Sequence, residues 1–122
     1  MSERVTGIGG VFFRSQHPAE VAAWYAEHLG LAVEEWNGAV VRSSGGETLV
    51  WAIFPDDTTY FGASGQEAMV NYRVADLDAL LEQLRDAGVE VEGPVDDDNS
   101  RFGWGTDPDG NRFELWQPKP GS

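Results

Sequence analysis

The sequence contains one pattern of predicted elements twice, and this repeat limits the folds available to the chain more than any other feature. Residues 17–30 and 76–88 both space their apolar residues at helical intervals, and both segments end at a glycine. The strand-like segment Gly46–Ala52 matches the later segment Gly110–Trp116. Two copies of one supersecondary unit predict two modules related by a pseudo-twofold axis.

Each module is predicted to contain a strand, a helix and then three strands. We place module one at about residues 5–54, a linker at 55–66 and module two at about 67–117, all within a single domain covering 1–122. The predicted fold class is α+β, in which two βαβββ modules with pseudo-twofold symmetry form a curved mixed sheet, or cup, backed by helices.

The strand boundaries follow from alternating apolar residues and from turn residues. The predicted strands of module one are Val5–Ser15, Leu31–Trp36, Ala39–Arg42 and Glu47–Phe54, with an Asn37-Gly38 hairpin turn between the second and the third. Those of module two are Ala68–Val74, Val89–Val91, Arg101–Thr106 and a last strand through Trp116, with a polar loop at Gly93–Asn99.

Each predicted helix carries an apolar stripe that should pack against the sheet. In the first helix, Pro18 suits the first helical position and His17 the N-cap, and in the second helix Asp76 is the N-cap. The stripe residues are Val21, Trp24, Tyr25, His28 and Leu29 in the first helix, and Leu77, Leu80, Leu81 and Leu84 in the second.

The composition excludes several classes of partner and site. The 122 residues carry 21 acidic and 8 basic side chains, and the resulting net charge of −13 repels nucleic acid and anionic membranes. Cysteine is absent from the sequence, so disulfides and thiolate metal sites are excluded. No apolar run approaches the ~20 residues of a membrane span, and no secretion signal is recognised. We therefore expect a cytoplasmic protein that contacts neither nucleic acid nor membrane.

Alternation along the strands divides their side chains between the two faces of the sheet. The apolar set that should meet the helices is Val11, Phe13, Val70, Tyr72 and Val74. The opposite face, the cup face, is predicted to carry Gly10, Phe12, Arg14, Thr48, Val50, Ala52, Met69, Asn71, Arg73, Arg112, Glu114 and Trp116. Aligning the modules at their helices pairs Gly10 with Met69. A curved sheet with such a mixed face is suited to binding a small molecule.

The carboxylate of Glu114 lies in the turn-and-strand stretch Asp107–Trp116 and is the candidate catalytic group of the cup face. It could be paired with one of the three arginines of that face, accept a hydrogen bond from Asn71, or be unpaired with a raised pKa. An unpaired buried carboxylate would be a candidate general base, whereas an ion pair would be structural.

Aromatic and cationic side chains are the candidate ligand-binding groups. Phe12, Met69 and Trp116, and also Phe54 and Trp104, could stack against a flat or apolar ligand. Arg14 and Arg73 could clamp a carboxylate or a phosphate. The full predicted binding set is Phe12, Arg14, Val50, Met69, Asn71, Arg73, Trp104, Arg112 and Trp116.

Motifs in both modules resemble the vicinal oxygen chelate superfamily, which includes glyoxalase I, bleomycin-resistance proteins and extradiol dioxygenases. In the first module the resemblance rests on Phe12-Phe13-Arg14, Trp24-Tyr25 and Leu29-Gly30-Leu31. In the second module it rests on the segments Tyr72–Asp78 and Asp107–Leu115. The resemblance covers nearly the whole chain, and it implies the repeated α+β fold described above.

The resemblance also implies metal-ligand positions on the first and last strands of each module, here Gly10, Val50, Met69 and Glu114. Only Glu114 offers a donor for a hard or borderline metal ion, and catalytic metal sites usually need about three protein ligands. We therefore predict no metal or other cofactor, with Glu114 as a ligand if a divalent metal does bind.

Our first hypothesis is a metal-free, small-molecule-binding protein of the glyoxalase/bleomycin-resistance type with a degenerate metal site. One alternative is a metal-dependent lyase, isomerase or dioxygenase in which substrate or water completes the coordination of a metal on Glu114. Another is a metal-free enzyme with Glu114 as general base. The resemblance further implies a homodimer, with the cup closed within one chain or by exchange of modules between two chains.

Overall fold

A computed structural model describes residues 3–43, 45–98 and 100–119 of the chain. Its elements, in chain order, are β1 (Val5–Ser15), α1 (Pro18–Leu29), β2 (Gly38–Arg42), β3 (Thr48–Pro55), β4 (Ala68–Val74), α2 (Leu77–Asp86), β5 (Val91–Asp96), β6 (Ser100–Thr106) and β7 (Arg112–Pro118). The strands form one mixed sheet in the order β2-β3-β1-β4-β7-β6-β5.

The sheet shows the twofold arrangement that the repeat predicts. At its centre β1 and β4 run antiparallel, β1 pairs in parallel with β3, and β4 pairs in parallel with β7. Outside them, β2 and β6 pair antiparallel with β3 and β7. The α+β prediction is confirmed, and the two halves meet along the β1–β4 pair.

The predicted strand Leu31–Trp36 is wrong, so the first half has the order βαββ within the described residues. The segment turns back too early to form a ladder, because Glu34 N–H donates to the Gly38 carbonyl at 2.8 Å and Asn37 N–H donates to the Glu34 carbonyl at 3.0 Å. Asn37 takes a positive φ of 63°, and the Trp36 ring lies where a side chain at Gly38 would be. Trp36 thereby reaches the concave face of the sheet.

The strand β5 begins later and runs further than predicted. We expected a strand at Val89–Val91 and a loop at Gly93–Asn99, but residues 91–96 pair with β6, and Asn99 lies outside the described residues. The pairing shifts register between Glu92 and Val95, so the glycine and proline between them are accommodated at an irregularity. Periodicity alone does not predict a strand through such a position.

The two helices differ in how they contact the sheet. Asp76 caps α2 by accepting a hydrogen bond from Ala79 N–H at 3.1 Å, and Leu77, Leu80 and Leu81 are buried as predicted. In α1, His17 is the N-cap residue but makes no side-chain cap bond. 

The stripe predicted for α1 is largely exposed. The side chains of Trp24 and Leu29 are 53% and 63% exposed, and Ala22 is the buried residue of this helix. Tyr25 does pack, with its ring edge-on to Trp51 at 4.9 Å between centroids. No described helix is long and apolar enough to cross a membrane.

Two buried clusters occupy opposite faces of the sheet. The helix-side cluster contains Val74, Leu77, Leu80, Leu81 and Leu115. The concave-side cluster contains Phe12, Ala52, Phe61 and Met69, with Val50, Phe54 and Tyr60 packed against it. The second cluster forms one end of the cup.

Candidate functional site

The concave face of the sheet contains a cavity of about 520 Å³, a size that suits a small organic ligand. Its walls come from both halves of the chain. The lining residues are Phe12, Trp36, Asn37, Val50, Ala52, Ile53, Phe54, Pro55, Tyr60, Asn71, Ser100, Phe102, Glu114 and Trp116. Six of them are aromatic and four more are aliphatic, so most of the wall is apolar.

Glu114 lies in this cavity wall, and its carboxylate accepts three side-chain hydrogen bonds. The strand register places Glu114 directly beside Asn71, whose Nδ2 donates to Oε1 at 2.5 Å. The other oxygen, Oε2, accepts from the hydroxyl of Tyr60 and from Nε1 of Trp104 at 2.9 Å. The side chain is only 1% exposed, so these donors replace water around the charged group.

Burial raises the pKa of the Glu114 carboxyl above its ordinary value, because desolvation disfavours the charged form. The hydrogen bonds from Tyr60, Asn71 and Trp104 and the charge of Arg112 act in the opposite direction, but they offset the desolvation only in part. The pKa of the Tyr60 hydroxyl is also raised, first by its own burial and then by the adjacent Glu114 charge. Proton affinity is therefore increased on both partners.

The segment between the two halves supplies Tyr60, and several contacts hold this segment against the cup. The Tyr60 ring stacks on Phe54 at 5.5 Å between centroids, and Phe61 is fully buried. Arg112 Nε donates to the Tyr60 carbonyl at 3.1 Å. Gln66 bonds both the N–H and the carbonyl of Arg112, at 2.7 and 2.8 Å. The segment is thus fixed to β7 next to Glu114.

Five of the residues predicted at the site line the cavity. They are Phe12, Val50, Asn71, Glu114 and Trp116. Alternation along β1, β3, β4 and β7 was sufficient to place them on this face, since each strand presents every second side chain to it.

The other predicted residues do not line the cavity. Met69 is 1% exposed and lies in the cluster beneath the surface, opposite Phe12 in the β1–β4 register. Trp104 points its indole N–H at Glu114 and stacks on Phe102, with 6.5 Å between ring centroids. Both side chains contact residues of the cavity wall without lining the cavity.

The three arginines also lie outside the lining, because each is held by neighbouring groups. Arg14 donates to the Asp56 carbonyl at 3.0 Å and lies over Phe61, while Arg73 donates to the Thr48 carbonyl at 2.5 Å. Arg112 pairs with Glu92 of the edge strand β5 and lies over Trp104. None of the three is placed to clamp an anion inside the cavity.

Three aromatic rings of the wall are outside both the predicted binding set and the predicted stacking residues. Trp36 and Tyr60 lie outside the strands of the structure, so alternation does not determine which way their rings face. The aromatic pair Tyr60-Phe61 inside a polar stretch was the available signal. Phe102 precedes Trp104 by two residues on β6, so the same alternation that selected Trp104 should have included it.

The strand register also corrects the residue-by-residue alignment of the two modules, which had matched Gly10 with Met69. Gly10 lies beside Val50, and Asn71 lies beside Glu114. Because Val50 and Glu114 correspond in the repeat, Gly10 corresponds to Asn71 and not to Met69. Gly10 and Asn71 also face each other across the β1–β4 pair.

Of the four positions Gly10, Val50, Met69 and Glu114, the first two offer no side-chain donor, and both oxygens of Glu114 accept hydrogen bonds. Across residues 3–43, 45–98 and 100–119, no group of three His, Cys, Asp or Glu side chains is placed to hold a metal. The donor set is poorer than the three protein ligands typical of catalytic sites.

Comparison with solved structures supports the fold. Methylmalonyl-CoA epimerase from Mycobacterium tuberculosis is 24% identical, with a TM-score of 0.69 over 95% of this chain and 90% of that chain. A variant of the Streptomyces coelicolor epimerase in complex with 2-nitronate-propionyl-CoA is 20% identical, with a TM-score of 0.69 over 94% and 99% of the two chains. A Legionella pneumophila structure described as NAD-dependent benzaldehyde dehydrogenase is 18% identical, with a TM-score of 0.60 over 90% and 98%. At these identities the likeness establishes the fold alone.

The paired halves, the central antiparallel strands and the concave ligand-sized cavity define a protein of the vicinal oxygen chelate class. More narrowly, the chain belongs to the glyoxalase-like domain family, whose family model matches residues 10–116. A search of curated protein sequences found no match.

Proposed function

We propose that this protein binds a small, flat, largely apolar molecule in the cup without using a protein-held metal ion. The observation that carries the proposal is the cavity of about 520 Å³ whose wall contains six aromatic rings. Aromatic walls bury large ligand area and prefer offset or edge-on contact with another ring. The few polar groups of the wall would orient the ligand.

The hydrogen bonds that Glu114 accepts favour ligand binding without a metal ion over metal-dependent catalysis. The carboxylate already uses three of its roughly four acceptor positions for Tyr60, Asn71 and Trp104, and the neighbouring positions Gly10 and Val50 offer no side-chain donor to complete a metal site. A metal ion that displaced these donors inside the buried site would leave them without partners, at a cost of about 1–3 kcal/mol for each group. We therefore propose that the metal site is degenerate.

The contribution of the aromatic wall to ligand binding can be tested by substituting two tryptophans of similar exposure. Trp36 lines the cavity and is 44% exposed, whereas Trp24 is 53% exposed on the outer helix. Binding of 1-naphthamide would be measured by ligand-observed NMR and calorimetry. We expect Trp36→Ala to weaken it about tenfold, equivalent to about 1.4 kcal/mol, and Trp24→Ala to leave it unchanged. Absence of saturable binding to the unmodified protein, or equal effects of the two substitutions, would contradict the proposal.

A second candidate function is a metal-free enzyme with Glu114 as general base. The observation in its favour is the raised pKa of this carboxyl in a ligand-sized cavity. In that case, Glu114→Gln should abolish turnover of a substrate that it still binds. Stoichiometric metal in untagged protein, measured by inductively coupled plasma spectrometry, would instead favour the metal-dependent lyase, isomerase or dioxygenase.

The homodimer is likewise a proposal. The edge strand β2 has no further partner strand among the described residues and exposes Val40 and Val41, which are 51% and 36% exposed. Exposed apolar edge strands are templates for pairing with another chain. Light scattering that gives a monomer at all concentrations tested would contradict this proposal. Bleomycin-type binding and a cytoplasmic location remain predictions.

A further inference from the structure

We infer that the cup discriminates against negative charge, so that its ligand is an uncharged or cationic aromatic molecule and not an anion such as an acyl-CoA ester. This inference rests on the proposed function and narrows its ligand class. The solved epimerase complex contains a propionyl-CoA derivative.

No residue of the described part of the chain that lines the cavity carries a positive charge. The polar side chains of the lining are Asn37, Tyr60, Asn71, Ser100 and Glu114. Four of these are neutral at physiological pH, and the fifth is an acid. An anionic ligand would therefore find hydrogen-bond donors in this wall but no counter-ion.

The arginines nearest to the cup do not compensate for this lining. Arg73 lies 3.5 Å from Glu47 and donates to a backbone carbonyl, and Arg112 is paired with Glu92. Both guanidinium groups are therefore already matched by acids. Arg14 donates one hydrogen bond to the Asp56 carbonyl at the end of β1, and its buried Nε and Nη2 make no hydrogen bond to the described residues, but its side chain does not line the cavity. Recruiting Arg73 or Arg112 would require breaking contacts that hold the sheet or the segment over the cup.

Two longer-range electrostatic effects also disfavour the binding of an anion. The Glu114 side chain is buried in the wall, where a charge is screened much less than at the surface. The chain as a whole carries a net charge of −13, and a concave low-dielectric site concentrates such a field. Both terms repel an anion, whereas the aromatic walls attract a cation through their π faces.

A matched pair of probes tests the inference, because 1-naphthoate and 1-naphthamide have nearly the same shape and differ in charge. At pH 8 and low ionic strength we expect the unmodified protein to bind the amide at least tenfold more tightly than the carboxylate. We also expect no saturable binding of propionyl-CoA. A ratio below tenfold in favour of the amide, or saturable binding of propionyl-CoA, would overturn the inference.

Two variants locate the source of the discrimination. Glu114→Gln should narrow the ratio of the two affinities, whereas Glu20→Gln, which removes one acid from the first turn of α1, should leave it unchanged. In the unmodified protein, raising the salt from about 20 mM to about 300 mM should narrow the ratio as well. A ratio that neither salt nor the loss of Glu114 changes would show that charge is not the cause. If neither probe binds, the proposed function itself fails, which is a different result from equal binding of both.

Discussion

The two halves of the sheet share one arrangement of strands, but they bury different kinds of side chain. In the second half, three leucines of α2 are buried against the sheet, and Asn71 and Glu114 are buried on the concave side. In the first half, α1 buries only Ala22 among its described residues, and the positions equivalent to Asn71 and Glu114 are Gly10 and Val50. The two halves thus share a framework that forms the cup, while the buried leucines of the helix and the buried Asn71–Glu114 pair belong to the second half.

The difference in burial between the two helices predicts the largest difference in the free energy of unfolding. Leu81→Ala in α2 removes a fully buried side chain and should lower the free energy of unfolding by about 3 kcal/mol. Leu29→Ala in α1, where the side chain is 63% exposed, should change it by less than about 0.5 kcal/mol. Urea unfolding monitored by circular dichroism compares the two. Equal losses would mean that α1 is as well packed in solution as α2.

The hydrogen bond between Tyr60 and the buried Glu114 of the second half predicts a smaller loss in the free energy of unfolding. Tyr60→Phe keeps the ring that stacks on Phe54 but removes the hydroxyl that donates to Glu114, and should cost about 2 kcal/mol at pH 8. The control is Tyr25→Phe in the first half, whose ring packs on Trp51 and whose change should be below about 0.5 kcal/mol. A neutral result for Tyr60→Phe would mean that the hydroxyl bond is not formed in solution.

The raised pKa of Glu114 predicts how the free energy of unfolding depends on pH. The folded protein binds the proton of this carboxyl more tightly than the unfolded chain, so stability falls as pH rises from 4.5 through the folded pKa. Glu114→Gln removes this dependence, so any stability advantage of the unmodified protein should narrow as pH increases. Thermal melting of both proteins between pH 4 and 8 measures it. An advantage that grows with pH would show that the pKa is lowered.

The helix caps predict the smallest effect. Asp76→Ala removes the oxygen that accepts from Ala79 N–H and should cost about 1 kcal/mol. His17→Ala at the equivalent position removes no side-chain cap bond and should cost less than about 0.5 kcal/mol. Both values can be obtained from urea unfolding. A reversed order would mean that His17 acquires a cap contact in solution.

Much of the fold could be predicted from the sequence because local patterns and tertiary packing agree. The strand at Ala68–Val74 and the stripe of α2 match the structure, since both bury the face that their periodicity indicates. The stripe of α1 has the same periodicity, but Trp24 remains exposed. Periodicity shows which residues share a face, and only the structure shows whether something covers that face.

The candidate site was predictable to the same extent. Regular strands placed Phe12, Asn71 and Glu114 on the concave face, because their alternation fixes direction. The position of Tyr60 depends on how an irregular segment folds back onto a distant strand, and no local rule determines that. The arginines of that face do not line the cavity for a related reason, since backbone carbonyls and acids from other elements contact those side chains.

The contact between Tyr60 and Glu114 has a consequence for finding the ligand. The chain carries its own phenol, tethered beside the acid at a high effective concentration. A molecule that must hydrogen-bond Glu114 has to displace that group, and its measured affinity is reduced by this internal competition. Fragment screens on the unmodified protein would therefore favour molecules that bind the aromatic walls. A screen on Tyr60→Phe protein would also detect molecules that hydrogen-bond the Glu114 carboxylate.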